Sequence, residues 1–299
     1  MKEVLIVTEE GRLDNYLSDM FENISRSHFQ KLIKSGKVLV NGKEQKPSYT
    51  VQIKDKIEFE DIEETEILPQ NIPLDVIYED ENMLVVNKPS NMLTHPTANE
   101  KENTLVNALL YYCGENNLSN INGNYRRGIV HRLDRNTSGL LMVAKNNKTH
   151  EYLANLIRNR LITKKYLAIV KGVLKDDFGL IDKPIGRNVK HPEKMAIVEG
   201  GKDSITEFRV IERFKDCTYL ELNLKTGRTH QIRVHLSSIG HPIMNDSLYG
   251  GGGFKIKTQE QVLQSYKLEF AKPFDGDIIT LCLEPDEDIK KALRFLRAN

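Results

Sequence analysis

The apolar positions of this chain change period several times, and each change marks an element. Leu13, Tyr16, Leu17, Met20 and Phe21 recur at helical spacing, which predicts an amphipathic helix. Phe29, Leu32 and Ile33 give the buried face of a second helix, capped by Ser25 or Ser27 and ended by a left-handed Gly36. Lys37-Val38-Leu39-Val40 and Lys43-Glu44-Gln45 flank Asn41-Gly42, a dipeptide that favours the tight turn of a hairpin. Val51, Ile53, Ile57 and Phe59 then supply odd-numbered positions of an alternating strand, interrupted by a Lys54-Asp55-Lys56 turn. These elements read as one small unit, residues 1–61. An acidic run from Glu58 to Glu66 follows and ends in Pro69-Gln70-Asn71-Ile72-Pro73. High charge and two prolines argue against packing, so a linker is expected at 62–73.

Residues 74–299 read as a second, larger domain. Asp75–Asp80 and Met83–Pro89 predict two short strands around a turn, the second ended by proline. Leu105, Ala108, Leu109 and Tyr112 mark a helix, and a polar loop runs from Gly114 to Gly123. The unbroken apolar run Leu140-Leu141-Met142-Val143-Ala144 predicts a buried strand, entered through the turn Asn136-Thr137-Ser138-Gly139. Asn147 or Thr149 is expected to cap a helix whose apolar face is Leu153, Leu156 and Ile157. Tyr166-Leu167-Ala168-Ile169-Val170 alternates as a strand, with Tyr166 sharing a face with Ala168 and Val170. A further strand enters the Gly227 turn, after which Thr229 is expected to cap a helix burying Ile232, Leu236 and Ile239. Ile278–Leu283 and Asp286–Leu296 close the chain as a strand and a helix. Strands and helices without strict βαβ alternation favour an α+β fold over a doubly wound sheet.

Composition narrows the function classes. Net charge is +1, so an argument for nucleic acid must rest on local clusters. Two exist. Ile24 to Lys56 carries eight basic residues and two acids, and Arg126 to Lys171 carries eleven against Asp134 and Glu151. Either could be a solvated face or a phosphate-binding one. Asp134, between Arg132 and Arg135, is expected to stay ionised, as a functional carboxylate or as an ion-paired turn residue. Lys88 is expected either to meet a polyanionic partner or simply to be solvated beside a strand end. Cys113, Cys217 and Cys282 lack metal or disulfide spacing and suit a reducing cytosol. No signal peptide or membrane-length apolar run is visible, so a soluble cytoplasmic protein is expected. His230 and His235 lie about 140° apart around a helix, so no metal site is predicted. Gly250-Gly251-Gly252-Gly253-Phe254-Lys255 lacks the ending of a phosphate loop and reads as a flexible turn. Arg12-Leu13-Asp14 repeats the letters of Arg132-Leu133-Asp134. With Asp14 expected on a polar helix face, the repeat reads as coincidence.

His131-Arg132-Leu133-Asp134-Arg135-Asn136-Thr137-Ser138-Gly139-Leu140-Leu141 resembles the signature loop of the RluA/RluD-type RNA pseudouridine synthases. That resemblance implies a catalytic role for Asp134. Met83–Pro96 is similar to the family's first motif, with Asn91 standing where glycine is usual. Lys165–Gly172 is similar to the second, whose tyrosine, here Tyr166, stacks on the target base and assists proton transfer. Leu222–Leu236, continued by Gly240-His241-Pro242-Ile243 and Asp246–Gly250, is similar to the third. Its apolar and basic site residues map onto Ile232 and Arg233, although the pattern also permits Arg228. Arg12–Gly42 resembles an S-four-type RNA-binding module extending over residues 11–60.

The resemblance implies a mixed central sheet with a cleft across it, and isomerisation of uridine in structured RNA without cofactor or metal. Arg132 would replace the extruded base and Arg233 would pair with Asp134. Arg135, Lys88 and Arg228, with Arg26, Lys31 and Lys34 of the first unit, would contact RNA. Ribosomal RNA is favoured over transfer RNA as partner, to a monomeric enzyme free of membranes. The competing reading is an RNA-binding assembly factor without chemistry. A metal-dependent nuclease ranks below both, because no carboxylate cluster accompanies Asp134.

Overall fold

In the N-terminal unit, helices Leu13–Met20 and Arg26–Lys34 share one buried cluster with an antiparallel sheet. The strand order is Lys2–Ile6, Lys56–Glu60, Val38–Val40, Lys43–Glu44. The computed structural model describes every residue except 1, 8–9, 21–25, 61–66, 98–99, 192, 255, 257 and 259. Leu13, Leu17, Phe29, Ile33, Val38 and Ile57 are buried as their spacing predicts, whereas Met20 and Ile53 are exposed. The expected 51–59 strand is two pieces. Thr50–Val51 pairs with Gly11–Arg12, and Lys56–Glu60 joins the sheet, so Ile53 falls in the intervening turn. Phe21 and Ser25 lie outside the described residues, and Ser27 lies within the second helix.

Asp14 is not on a polar face. Its side chain is fully buried, where Arg12 Nε at 3.0 Å, Arg26 Nη2 at 2.9 Å and Gln30 Nε2 at 2.7 Å donate to it. Arg26 is thereby a strut between the two helices, with its side chain 49% exposed. Burial opposes ionisation of Asp14, but the donors more than offset it and hold the carboxyl well below its usual range.

In the second domain, one mixed sheet runs in the order Phe178–Asp182, Ile205–Arg213, Cys217–Leu224, Thr163–Lys171, Leu263–Ala271, Ser138–Ala144, Met83–Lys88, Asp75–Glu79. Ile278–Cys282 pairs with the far half of Leu263–Ala271. Every pairing is antiparallel except one short parallel seam, where Ser138 and Gly139 face Gln264 and Ser265. Gly139, at φ 113°, is required there, because a Cβ would come within 2.1 Å of Ser265 O. Strand Ser138–Ala144 is buried on both faces. Leu141 and Val143 pack with Leu105 and Leu109 of helix Leu105–Cys113, and Leu140 and Met142 pack with Leu153 and Leu156 of helix Asn147–Arg158.

Three local expectations change. Ile67 is buried in the main core and Leu68 O accepts a bond from Asn107 Nδ2, so part of the expected linker is packed. Helix Asn147–Arg158 is capped by Asn146, whose side chain accepts from Thr149 N–H at 2.9 Å, while the Asn147 side chain is engaged by Ser119. Gly251 is part of a tight clasp, since a Cβ would meet Ile243 O at 1.6 Å and its N–H bonds Asp246 O. The closing strand and the helix Glu287–Ala298, capped by Asp286, form as the pattern predicts. Among the described residues no helix is long and apolar enough to cross a membrane.

Asp14→Asn should lower the stability of the N-terminal unit at neutral pH by roughly 2 kcal/mol, the scale of a charged group losing its hydrogen bonds. Because the folded pKa is depressed, the carboxylate's contribution is present above about pH 4 and is lost as pH falls towards the folded value. Thermal melts of wild type and variant should therefore converge in acid. A gap as wide at pH 2 as at pH 7 would contradict this account.

Candidate active site

The loop that carries Asp134 is anchored on both sides before its side chain does anything. Thr94 Oγ1 donates to Leu133 O at 2.8 Å, and Thr137 N–H bonds Asp134 O at 3.1 Å. His131 is neutral, since burial pushes it down to about 3, with Lys164 acting in the same direction. Its Nε2 can then accept Met142 N–H at 2.9 Å, fastening the loop to the strand it precedes.

Lys88 neither contacts solvent nor offers a surface for RNA. It is fully buried, and its Nζ donates to Pro89 O, Met92 O and Arg135 O at 2.7, 2.9 and 3.0 Å. Burial pushes its pKa down to about 7, opposed by Asp134 and assisted by Arg135. Three carbonyl acceptors match the three protons of the ammonium form. Lys88 therefore ties the first motif's turn to the Asp134 loop. In that turn Asn91 adopts φ 63°, the left-handed conformation that asparagine tolerates in place of glycine.

Helix Gln231–Ser238 supplies the opposite wall. Thr229 does not cap it. His230 occupies the cap position at φ 55° without a side-chain cap bond. The preceding turn is held instead by Gln231, whose Oε1 accepts Arg228 N–H at 3.0 Å and Thr226 Oγ1 at 2.8 Å. From the first turn of this helix Arg233 reaches Asp134 Oδ2 through Nη1 at 3.3 Å. Its stronger partner is Asp246, bound through Nε at 2.7 Å and Nη2 at 2.9 Å. Burial opposes the charge of Arg233, and Asp246 with Asp134 more than restores it. Arg233 also lies over the Tyr249 ring at 5.0 Å. The Nε–Nη2 edge of the guanidinium thus grips Asp246 and leaves Nη1 for Asp134. The local pattern around Arg233 does not reveal Asp246, Tyr249 or His230. Asp246 and Tyr249 are signalled only by the Asp246–Gly250 continuation of the third motif, and His230 by its place within Leu222–Leu236.

Asp134, Tyr166, Ile232, Arg132, Arg228 and Arg233 all line one cleft of about 470 Å³. Its described lining carries seven cations (Arg132, Arg158, Arg160, Lys164, Lys225, Arg228 and Arg233) and a single carboxylate, Asp134. Tyr166 is buried and lines the cleft together with Asp134. Burial pushes its phenol up to about 12, with Asp134 adding to the effect and Ser265 opposing it, so it keeps its proton. Ile232 is buried in the wall. Arg132 is exposed. Arg228 bonds Asp203 O at 3.2 Å instead of a carboxylate, and Arg135 is paired with Glu100. Lys31 and Lys34 are exposed on helix Arg26–Lys34 of the other unit. His235 is occupied by Thr206 Oγ1 and Lys183 O. No cluster of three or more His, Cys, Asp or Glu that could hold a metal occurs among the described residues.

A lone carboxylate in a cationic cleft, held from a second element by an arginine, suits acid–base or nucleophilic chemistry on a polyanion. The chain belongs to the RNA pseudouridine synthase family: the RNA pseudouridylate synthase family model matches residues 82–238, and the S4 domain model matches 11–57. It is an isomerase with a fused RNA-binding domain. Among its relatives, the uncharacterized RNA pseudouridine synthase YlyB of Bacillus subtilis is 42% identical over 96% of this chain and 95% of its own. The ribosomal large subunit pseudouridine synthase D of Xanthomonas campestris is 37% identical, over 96% and 89%. The solved human RNA pseudouridylate synthase domain containing 1 superposes with a TM-score of 0.60 at 26% identity, covering 77% of this chain and 97% of that one.

Replacing Arg233 by lysine keeps the charge but loses the fork on Asp246, and should slow turnover. Arg233→Met leaves Asp246, 1% exposed, without its partner; it should abolish turnover and cost about 3–5 kcal/mol in melting experiments. Arg228→Met should mainly weaken RNA binding. Single-turnover rates and affinities separate these effects. Lost turnover in Arg228→Met with a tolerated Arg233→Met would mean the wrong arginine has been paired with Asp134.

Proposed function

We propose that this enzyme isomerises specific uridines of large-subunit ribosomal RNA, with Asp134 as the catalytic carboxylate. The observation that carries this reading is the single acid of the cleft, held at 3.3 Å by Arg233. The choice of RNA is supported by the name of the Xanthomonas relative and by the N-terminal RNA-binding domain.

In the reaction the bond from ribose C1′ to uracil N1 breaks, the base turns, and C5 joins C1′. The hydrogen of C5 leaves, and N1 gains a proton, so the composition is unchanged. A stacked uracil must first be extruded, at a cost of a few kcal/mol. Arg132, exposed at the cleft mouth, fills the gap left in the stack. The neutral phenol of Tyr166 supports the extruded base from below, and Ile232 walls the pocket. Asp134 acts at the ribose, with Arg233 fixing its rotamer. Arg135 and Arg228 meet phosphates at the cleft, and Lys31 and Lys34 do so from the N-terminal domain, with Arg26 partly committed to Asp14. The protein acts as a cytoplasmic monomer, with an RNA-binding domain over residues 1–61 and a catalytic domain that includes the packed segment from Ile67.

Asp134→Asn preserves size but removes the charge. It should abolish release of tritium from uridine C5 while leaving RNA affinity nearly unchanged, and cells carrying it should lack defined pseudouridines in their large-subunit RNA. Substantial turnover by the folded variant would refute the assignment.

Deletion of residues 1–60, which spares Ile67 and its neighbours, should leave a folded catalytic domain because each unit has its own core. RNA binding should weaken, and log affinity should fall less steeply with log salt, by about 0.7–0.9 for each phosphate no longer neutralised. An unchanged slope would remove the N-terminal unit from the RNA interface.

A further inference from the structure

We propose that Tyr249 and His230 form a relay that aims an imidazole N–H at Asp134 Oδ2, making both positioning residues for that carboxylate. The proposal rests on the reading of Asp134 as the catalytic group. The relay starts at the short hairpin formed by Ile185–Arg187 and Met195–Ile197. Met195 N–H donates to Tyr249 Oη at 2.8 Å, and the same oxygen lies 2.8 Å from His230 Nδ1. A phenol has one proton to give. Met195 N–H can only donate, so of the two described partners of that oxygen His230 Nδ1 alone can take the phenol proton, and the relay assigns it there.

The consequence falls on the other ring nitrogen. Burial holds His230 below its ordinary value; Arg233 and Arg132 act with it, while Asp134 and Asp246 oppose. A neutral ring carries one proton, and an accepting Nδ1 leaves it on Nε2, 3.9 Å from Asp134 Oδ2. That separation is just beyond a hydrogen bond, so a small closure of the cleft completes it and gives Oδ2 a second donor beside Arg233.

Two further observations agree. His230 stands at φ 55°, a conformation that residues with a Cβ rarely adopt, and such strain concentrates where a side chain is needed in a fixed place. Tyr249 also supports the competing donor, since the Arg233 guanidinium lies over its ring and the His230 ring meets it edge-on at 5.7 Å. One tyrosine therefore orients both groups that face the carboxylate.

The test uses full-length protein with ¹⁵N-labelled histidine. In wild type the His230 ring shifts should report the Nε2–H tautomer, and in Tyr249→Phe they should relax towards a mixture. The same variant should lose about tenfold in single-turnover rate at saturating RNA, the scale of one hydrogen bond, with RNA affinity unchanged. His230→Asn, which suits the left-handed backbone, should melt close to wild type yet be slowed as much, and adding Tyr249→Phe to it should cost nothing more. An Nδ1–H tautomer in wild type overturns the relay. So does a Tyr249→Phe protein with wild-type rate, or one whose loss lies in affinity alone. If Tyr249→Phe does not fold, the wild-type tautomer and the His230→Asn rate decide the matter. If Asp134→Asn stays active, the catalytic reading fails while the tautomer experiment still judges the geometry.

Discussion

A single row of residues across the central sheet holds the site together. Lys88 faces Gly139, Gly139 faces Ser265, Ser265 faces Tyr166 and Tyr166 faces Leu222, each pair in register on neighbouring strands. The weak point of the row is its parallel step, where two residue pairs join the halves of the sheet. Only a residue without a Cβ lets those backbones meet, so Gly139 sets the spacing between the Asp134 loop and Tyr166. Ser265 reinforces the step by donating to Leu140 O at 3.2 Å. The carboxylate and the phenol come from different halves of the sheet, and their separation is a property of this seam.

Electrostatics then select the state of each group. The buried series Asp134–Arg233–Asp246 alternates in sign, and its bidentate end lies away from the cleft. Asp246 fixes the guanidinium, and Nη1 is offered to a carboxylate that stays 17% exposed. A fork spent wholly on Asp134 would have bound it more tightly and left fewer oxygen lone pairs for the reaction. Lys88 performs a comparable task without a counter-ion, using three carbonyl groups to pin two loops with one charge.

Much of this was legible because local pattern and burial agree. The run at 140–144 read as a buried strand, which the structure buries on both faces, and the alternation at 166–170 put Tyr166 with Ala168 and Val170. The grouping of Asp134, Tyr166, Ile232 and Arg233 in one cleft was legible through motif resemblance, not through periodicity. What stayed hidden depends on partners remote in sequence. Asp14 looked solvent-facing because its helix alone does not reveal Arg26 and Gln30 closing over it from the next one. Lys88 looked free because its acceptors are main-chain oxygens of two separate loops. Thr229 looked like a cap because threonine usually is one, but a left-handed His230 already turns the chain into the helix.

The seam also imposes an order of assembly on the growing polypeptide. Ser265 and Leu140 are 125 residues apart, and contacts of such separation close late, after local structure has formed. The N-terminal RNA-binding domain leaves the ribosome with its entire core before any of the large sheet can be completed. A nascent chain therefore completes its first core long before the cleft of the second domain can form. The cleft's two sides are joined only when the strand beginning at Leu263 has been synthesised and pairs beside Gly139.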